Sequence, residues 1–378
     1  MSYIVLARKY RPKNFSELKG QDVLVQTLTN AMNFDKLHHA YLLTGIRGIG
    51  KTTTARIIAK TINCENVIKG ENALISCEEC ANCKSIKTNS HPDVIEFDAA
   101  SNTGIDDIKG MFEGISYAPA LGKYRVFIVD EVHMLSKNAF NSLLKTLEEP
   151  PQNVIFIFAT TEIQKVPITI LSRCQKFVLP PLSQQNMQEH LQFICNAENI
   201  IAHNDILELI ASKSGGSVRD SLSMLDQSRM QSTSNEIDIN VVKSMLSIVS
   251  KDDVENLYQC TLNADVQKAL QILSQLKAKG LDETSVVEEF LEHIYSKVQE
   301  CITNNIQYGN LLRLWNVFLH SISDLQIAVN KYITLEMIFI KAIHTYSSPS
   351  VENIISGIAD GKIAEIIKDF PNATISES

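Results

Sequence analysis

Two short stretches carry residue types that do chemistry at fixed spacings. Residues 45–52 read GIRGIGKT, which places Gly45, Gly50, Lys51 and Thr52 in a G-x-x-x-x-G-K-[ST] pattern, with Gly48 inside it. Glycines let backbone amides curl round a phosphate, and a helix opening at Lys51 would add the partial positive charge of its N-terminus. Lys51 would then reach the β- and γ-phosphates of a nucleotide, and the Thr52 hydroxyl would ligate Mg2+. The competing reading is a glycine-rich surface turn. The second stretch, CEECANC, sets Cys77, Cys80 and Cys83 three apart. That spacing suits metal ligation and leaves the fourth ligand open.

An acidic pair follows. KYRVFIVDEVHML carries an apolar run and then Asp130 and Glu131. A carboxylate at the C-terminal end of a strand beside a phosphate loop holds Mg2+, directly or through water, and its neighbour can polarise the attacking water. An Asp-Glu pair can equally be a solvated turn; the VFIV run and the phosphate loop favour the chemistry. NVIFIFATT ends in Thr160 and Thr161, either of which could hold the water or the γ-phosphate. Arg219, in SGGSVRDSL, falls in the first turn of a helix that Ser217 and Asp220 would cap, where a cation strengthens an anion site. Arg173, in TILSRCQKF, follows the last strand by several residues. It reads either as a finger acting on a neighbouring subunit's nucleotide or as a surface salt bridge.

The elements that must position these groups form an α/β layer fold in the first 180 or so residues. AYLLTG, DVIEFD, RVFIVD and NVIFIFATT are short continuous apolar runs, the mark of buried parallel strands, and each leads into a turn or helix. TTARIIAKTI, after the phosphate loop, sets Ala55, Ile58, Ala59 and Ile62 on one face of a helix. SKNAFNSLLKTLEEPP is a helix capped by Ser136, with Phe140, Leu143, Leu144 and Leu147 as its core stripe and Pro150 as its end. From about residue 183 only helical patterns remain. Breaks at LPPLSQQ (179–185) and QSTSNEID (231–238) divide the chain into an α/β domain, a small helical domain and an all-helical domain.

The chain has 378 residues, 44% hydrophobic and 21% charged, which is globular composition. No apolar run is long enough for a membrane span and the N-terminus has no signal-peptide core, so a cytosolic protein is expected. Its net charge of −8 excludes holding DNA by general electrostatic attraction. Eight cysteines in a reducing compartment argue against a disulfide scaffold; Cys174, Cys195, Cys260 and Cys301, scattered in apolar contexts, read as small buried hydrophobes.

LARKYRP, GIRGIGKTTTAR, the cysteine cluster, VDEVHMLSKNAFNSLLKTLEEPP, ATTEIQKVPITILSRC and GGSVRDSLSMLDQ together resemble the gamma/tau family of bacterial DNA polymerase III clamp-loader subunits, within the AAA+ ATPases. The resemblance is dense over residues 3–227 and diffuse beyond. It implies an AAA+ α/β domain with a parallel sheet over 1–182, with a zinc-binding insertion at 64–83. A helical lid over 183–235, an all-helical collar over 236–367 that joins subunits into an open five-membered ring, and a flexible tail at 368–378 would follow. It implies ATP, Mg2+ and Zn2+ as ligands. Ala7, Arg11 and Pro12 would lie by the adenine and ribose, with Gly45, Gly48, Gly50, Lys51, Thr52 and Thr53 around the phosphates. Asp130 would bind Mg2+ with Thr52, and Glu131 would be the catalytic base. Thr160 and Arg219 would sense the γ-phosphate, and Arg173 would be the finger reaching a neighbour's ATP.

On the same resemblance, Cys64 joins Cys77, Cys80 and Cys83 as C-x12-C-x2-C-x2-C, a closed tetrahedral zinc set, with His91 the other candidate for the fourth ligand. An iron–sulfur cluster could use such spacing, but nothing else in the chain suggests electron transfer. Where the family often carries basic residues facing DNA, this chain has NTGIDDIKG, with Asn102 and Gly104 in place and Lys109 later. DNA contact would then fall to helix N-terminal amides near Ser101 and Thr103. The implied function is ATP-driven loading of a sliding clamp onto primer–template DNA, in the bacterial cytoplasm at the replication fork, beside other clamp-loader subunits. Helicase and polymerase would be partners only of a longer, tau-type chain. The alternatives are an AAA+ branch-migration or remodelling motor and a zinc-stabilised small-molecule kinase.

Overall fold

The computed structural model describes residues 3–70, 73–101, 110, 115, 117–232, 235–246 and 248–347. Asn102, Thr103, Gly104 and Lys109 lie outside the described residues, as does everything from 348 onward, including the expected tail. The chain divides into two compact units, Met1–Ile239 and Asn240–Ser378.

The first unit is built on a five-stranded sheet. Its strands are β1 (Ala40–Thr44), β4 (Val94–Asp98), β5 (Arg125–Asp130), β6 (Val154–Thr160) and β7 (Gln175–Val178), in the order β4-β5-β6-β1-β7 with every pairing parallel. Parallel strands need crossovers, and the crossover helices cover both faces. Side chains alternate accordingly. Tyr41, Leu43, Val126, Ile128, Ile155 and Ile157 pack with Ala55, Ile58, Ala59 and Ile62 of the helix Lys51–Ile62. Ala40, Leu42, Phe127, Val129, Phe156 and Phe158 pack with Phe140, Leu143 and Leu147 of the helix Lys137–Glu148. Ser136 caps that second helix by accepting from the Ala139 N–H. Four strands sit on the apolar runs of the sequence; β7 is additional. It is a four-residue edge strand in which only Phe177 is buried, so it has no continuous apolar run to reveal it. A two-stranded hairpin, β2 (Ile68–Lys69) with β3 (Leu74–Ile75), belongs to the cysteine-bearing insertion.

Three helices follow in the same unit: Gln184–Glu198, Asn204–Lys213 and Val218–Gln231. Ser183 and Ser217 cap the first and third through the N–H groups of Asn186 and Asp220. The second unit is helical among its described residues. Its long helices, Lys251–Leu262, Val266–Ala278, Glu283–Thr303, Gly309–Ile327 and Lys331–Ser347, surround a core in which the rings of Phe290, Phe318 and Phe339 lie 4.6–5.1 Å apart. Among the described residues no helix is long and apolar enough to cross a membrane.

One buried carboxylate ties β4 to the loop before β5. Asp93 is fully buried, and its oxygens accept the backbone N–H groups of Ala120, Leu121 and Gly122 at 2.7–2.8 Å. Burial works to raise this carboxyl, but the three amides outweigh it and hold the group below the ordinary aspartate range. Because the folded value is depressed, the stabilisation is present above the ordinary aspartate range and lost as pH falls through the depressed value. Asp93→Ala leaves three amides without their acceptor and is expected to cost about 3 kcal/mol in urea unfolding at neutral pH, with the deficit shrinking in acid. A deficit independent of pH would contradict this reading.

Candidate active site

The phosphate loop joins β1 to the helix Lys51–Ile62, whose N-cap, Gly50, sits at φ +101°. The turn needs that left-handed residue so that the helix amides point back into the loop. Lys51 is 5% exposed, and its ammonium donates to the carbonyl oxygens of Gly45 (2.9 Å) and Ile46 (3.0 Å). Burial pushes its pKa down, against the pull of Glu131 and Asp130. Thr52 Oγ1 donates to Asp130 Oδ2 at 2.5 Å, so the two residues expected to share Mg2+ are already in contact. Burial pushes the Asp130 carboxyl up, against the hydrogen bonds from Thr52 and the Glu131 N–H. A hydroxyl and a carboxylate brought together from two elements suit a hard cation that takes oxygen ligands. Asp98 stands beside Asp130 in register on β4 and lines the same cleft, an acid that the sequence does not single out.

Glu131 leaves β5 in the left-handed conformation, φ +46°, which an ordinary side chain adopts only under constraint. Its Oε2 accepts from the N–H (3.2 Å) and hydroxyl (3.1 Å) of Thr161, with His133 Nδ1 at 3.4 Å. Thr160 is fully buried, its hydroxyl engaged by His133 Nδ1 and the Glu162 N–H, both at 3.0 Å. The residue pattern leaves Thr160 and Thr161 both open and the family resemblance implies Thr160; the structure sets Thr161 against Glu131. The reason is the strand period: Thr160 shares the inward face of Phe156 and Phe158, and Thr161 follows the strand end. His133 has no sequence signal beyond standing two residues after Glu131.

These groups open onto a cleft of about 1320 Å3. Ala7, Arg11 and Pro12 form one wall; Gly48, Gly50, Lys51, Thr52 and Thr53 form the floor; Asp130, Glu131 and Arg219 close the rest. Burial, then the charge of Arg56, pushes the Arg11 guanidinium down. The N-terminal wall is clasped to the helices that follow the sheet. Asp226, 4% exposed, accepts from the Leu6 N–H at 3.1 Å and from the Tyr3 hydroxyl; Glu198 accepts from the Tyr10 hydroxyl at 2.6 Å and from Lys9. Tyr3 and Tyr10 are each pushed up to about 12 by burial and by these acceptors. The clasp joins residues some 190 to 220 apart in sequence, so no local pattern announces it.

Cys64, Cys77, Cys80 and Cys83 converge, with their sulfurs within 4.8 Å of one another and Cys77 to Cys83 at 4.0 Å. Tetrahedral zinc, with Zn–S bonds of about 2.3 Å, sets sulfurs about 3.8 Å apart. The N–H groups of Cys80 and Glu79 bring the Cys77 thiol down to about 7, while burial pushes Cys64 and Cys83 up. A cation among them would hold all four as thiolates. His91 is not in this group: it is buried, with Nε2 at 3.2 Å from Asn82 Oδ1 and Nδ1 accepting from the Asp93 N–H. Of the scattered cysteines, Cys195 and Cys260 are buried and Cys174 and Cys301 partly so.

Residues 20–183 match the family model for the DNA polymerase III delta subunit, 186–232 that for the clamp-loader subunit ATPase lid domain, and 296–358 that for domain III of subunits gamma and tau. The DNA polymerase III subunit gamma of Buchnera aphidicola subsp. Schizaphis graminum is 36% identical over 364 residues, 91% of this chain and 99% of that protein. The chain belongs to the DNA polymerase III gamma/tau family. Against the tau subunit of Escherichia coli the identity is 40% over 291 residues, 77% of this chain and 44% of that one; the chain spans about half the length of the tau relatives it matches. A solved RuvB Holliday junction branch migration motor from Thermotoga maritima aligns at 18% identity and TM-score 0.47 over 72% of this chain and 86% of that one, too low to carry an argument.

In this gamma/tau chain the two arginines have different addresses. Arg219 lines the cleft, and its N–H donates to the Gly48 carbonyl at 3.2 Å. Arg173 is not among the cleft's residues. Its guanidinium, a third exposed, donates to Glu148 Oε1 at 2.6 Å and to the Thr169 carbonyl at 2.8 Å. The phosphate loop also packs directly on the helix that bears Arg219. A Cβ on Gly48, at φ +76°, would sit 2.1 Å from Ser217 Oγ and 3.2 Å from Arg219 Cβ. Gly48→Ala should therefore loosen the start of the helix Val218–Gln231, seen as faster hydrogen exchange at its first two turns; unchanged exchange would show that this contact does not hold the helix down.

Proposed function

We propose that this chain is an ATPase subunit of a DNA polymerase III clamp loader, using ATP binding and hydrolysis to load a sliding clamp onto primed DNA. The observation that carries this is the meeting of Lys51, Thr52, Asp130 and Glu131 in one cleft roofed by the Arg219 helix, in a gamma/tau family chain.

Lys51 exchanges its two carbonyl partners for phosphate oxygens. A neutral hydrogen bond is worth about 1 kcal/mol net and one between charged partners roughly twice that, so the exchange favours bound nucleotide. Thr52 Oγ1 and an Asp130 carboxylate oxygen, already in contact, would hold Mg2+, whose charge would offset that of the phosphates. Water attacks the γ-phosphorus in line with the bond to the departing ADP, and Glu131 takes the water's proton. Thr161 engages Glu131 through Oε2 and so orients the carboxylate, whose other oxygen can take the proton. Arg11 and Pro12 border the base and ribose, and Arg219 meets the γ-phosphate from the roof.

Arg173 serves a neighbouring subunit's nucleotide. Its bond to Glu148 is a part-exposed ion pair worth about 0.2–1 kcal/mol, cheap to exchange for a triphosphate. The other clamp-loader subunits, the sliding clamp and primer–template DNA are the partners, at the replication fork in the bacterial cytoplasm. Zn2+ is held by Cys64, Cys77, Cys80 and Cys83 as a structural clip. The net charge of −8 agrees with weak DNA binding by this subunit alone.

In the reconstituted complex with clamp and primed DNA, Arg173→Ala should lower DNA-stimulated ATP turnover by about a thousandfold or more while leaving ATP binding nearly intact. Lost ATP binding, or unchanged turnover, would count against the assignment. Metal analysis of the purified chain should find about one zinc per chain, retained in His91→Gln and lost in Cys83→Ser; zinc lost on changing His91 would overturn the four-thiolate set.

A further inference from the structure

The hydrolysis chemistry leaves unused a buried lysine on the phosphate-loop helix. Lys60 lies in the last turn of Lys51–Ile62, with its side chain 8% exposed. Its ammonium donates to Glu78 Oε1 at 2.5 Å and to the Lys13 carbonyl oxygen. Each partner belongs to a different site. Glu78 stands in the loop between Cys77 and Cys80, at φ +62°. The buried Ser76 hydroxyl donates to the same carboxylate oxygen at 2.7 Å. Lys13 directly follows Arg11 and Pro12 in the cleft wall, and its N–H donates to Glu17, another cleft residue, at 2.8 Å.

We propose that Lys60 and Glu78 are positioning residues that couple the cysteine loop to the nucleotide cleft. A metal on the four thiolates fixes the Cys77–Cys80 turn. The turn keeps Glu78 in its left-handed conformation, which a non-glycine residue holds only when its surroundings fix it. Glu78 in turn keeps a desolvated ammonium paired, which a buried charge requires. Lys60 then pins the main chain at Lys13, and with it the position of Arg11 and Pro12. Metal occupancy is thereby read out as nucleotide affinity. Because coupling between two ligands is reciprocal, ATP tightens zinc by the factor by which zinc tightens ATP. This rests on the ATP-binding reading of the cleft.

The test uses the full chain in five forms: unaltered, stripped of zinc by a chelator, Lys60→Met, Lys60→Met stripped of zinc, and Glu78→Gln. Three quantities are read: hydrogen exchange at the amides of Tyr10, Arg11, Lys13 and Asn14 without nucleotide, the affinity for Mg·ATP, and zinc content. Zinc stripping and Lys60→Met should each speed exchange in that segment and weaken ATP by about three- to tenfold, and stripping zinc from Lys60→Met should add little further. Glu78→Gln, which keeps an acceptor, should fall between. Both variants should keep their zinc; a variant that lost it would overturn the proposal, since the residue would then serve the metal and not the strap. Exchange and affinity like the unaltered chain in both variants would also overturn it, as would fully additive effects. If the unaltered chain bound no ATP while the coupled exchange persisted, the nucleotide reading would fall and the bridge would stand.

Discussion

A single buried ammonium sets the terms for the rest of the first unit. Lys51 is taken out of water at the start of the helix that follows β1, and its hydrogen bonds go to main-chain carbonyls of its own loop. Two carbonyls stabilise a desolvated cation less well than an anion does, which is why burial lowers its pKa. The loop therefore folds around a charge that an anion would satisfy better than its own carbonyls do. The same logic holds at Asp130, where burial favours the protonated form and Thr52 supplies a hydroxyl in place of a cation. Both charges stand at the C-terminal ends of parallel strands, where α/β sheets gather their ligand groups.

The roof of the cleft follows from packing. Gly48 has no side chain, so the first turn of the helix Val218–Gln231 can lie on the loop and bring Arg219 to the edge of the cleft. The N-terminal wall is held from two sides. Asp226 and Glu198 grip residues 3–10, and the Lys60 ammonium grips Lys13. The N-terminal wall thus depends on two of the helices that follow the sheet and, through Glu78, on the cysteine loop. Those links give a physical reason for a cysteine loop beside a cleft that it does not line.

Much of this was legible in the sequence. The phosphate loop, the acidic pair and the four long strands are local patterns, and a local pattern survives without the fold. The edge strand β7 escaped because a half-exposed four-residue strand has no apolar run. That Thr161 meets Glu131 while Thr160 is buried follows from Thr160 turning to the inner face of β6 and Thr161 lying just past its end, a difference of one residue that propensity does not resolve. Asp98, His133, Asp226 and Lys60 were silent because each gains its role from a partner distant in sequence. His91 was a fair candidate ligand by spacing alone. In the fold its ring is committed to Asn82 and to the Asp93 N–H.

The most direct measurement is calorimetric titration of Mg·ATP into the purified chain and into Lys51→Met. Saturable binding to the unaltered chain is expected, weakened by about ten- to a hundredfold or more in the variant. The variant should stay folded, because methionine fills the site without a charge to desolvate. Binding of equal strength to both would contradict the role given to Lys51 and, with it, the reading of the cleft.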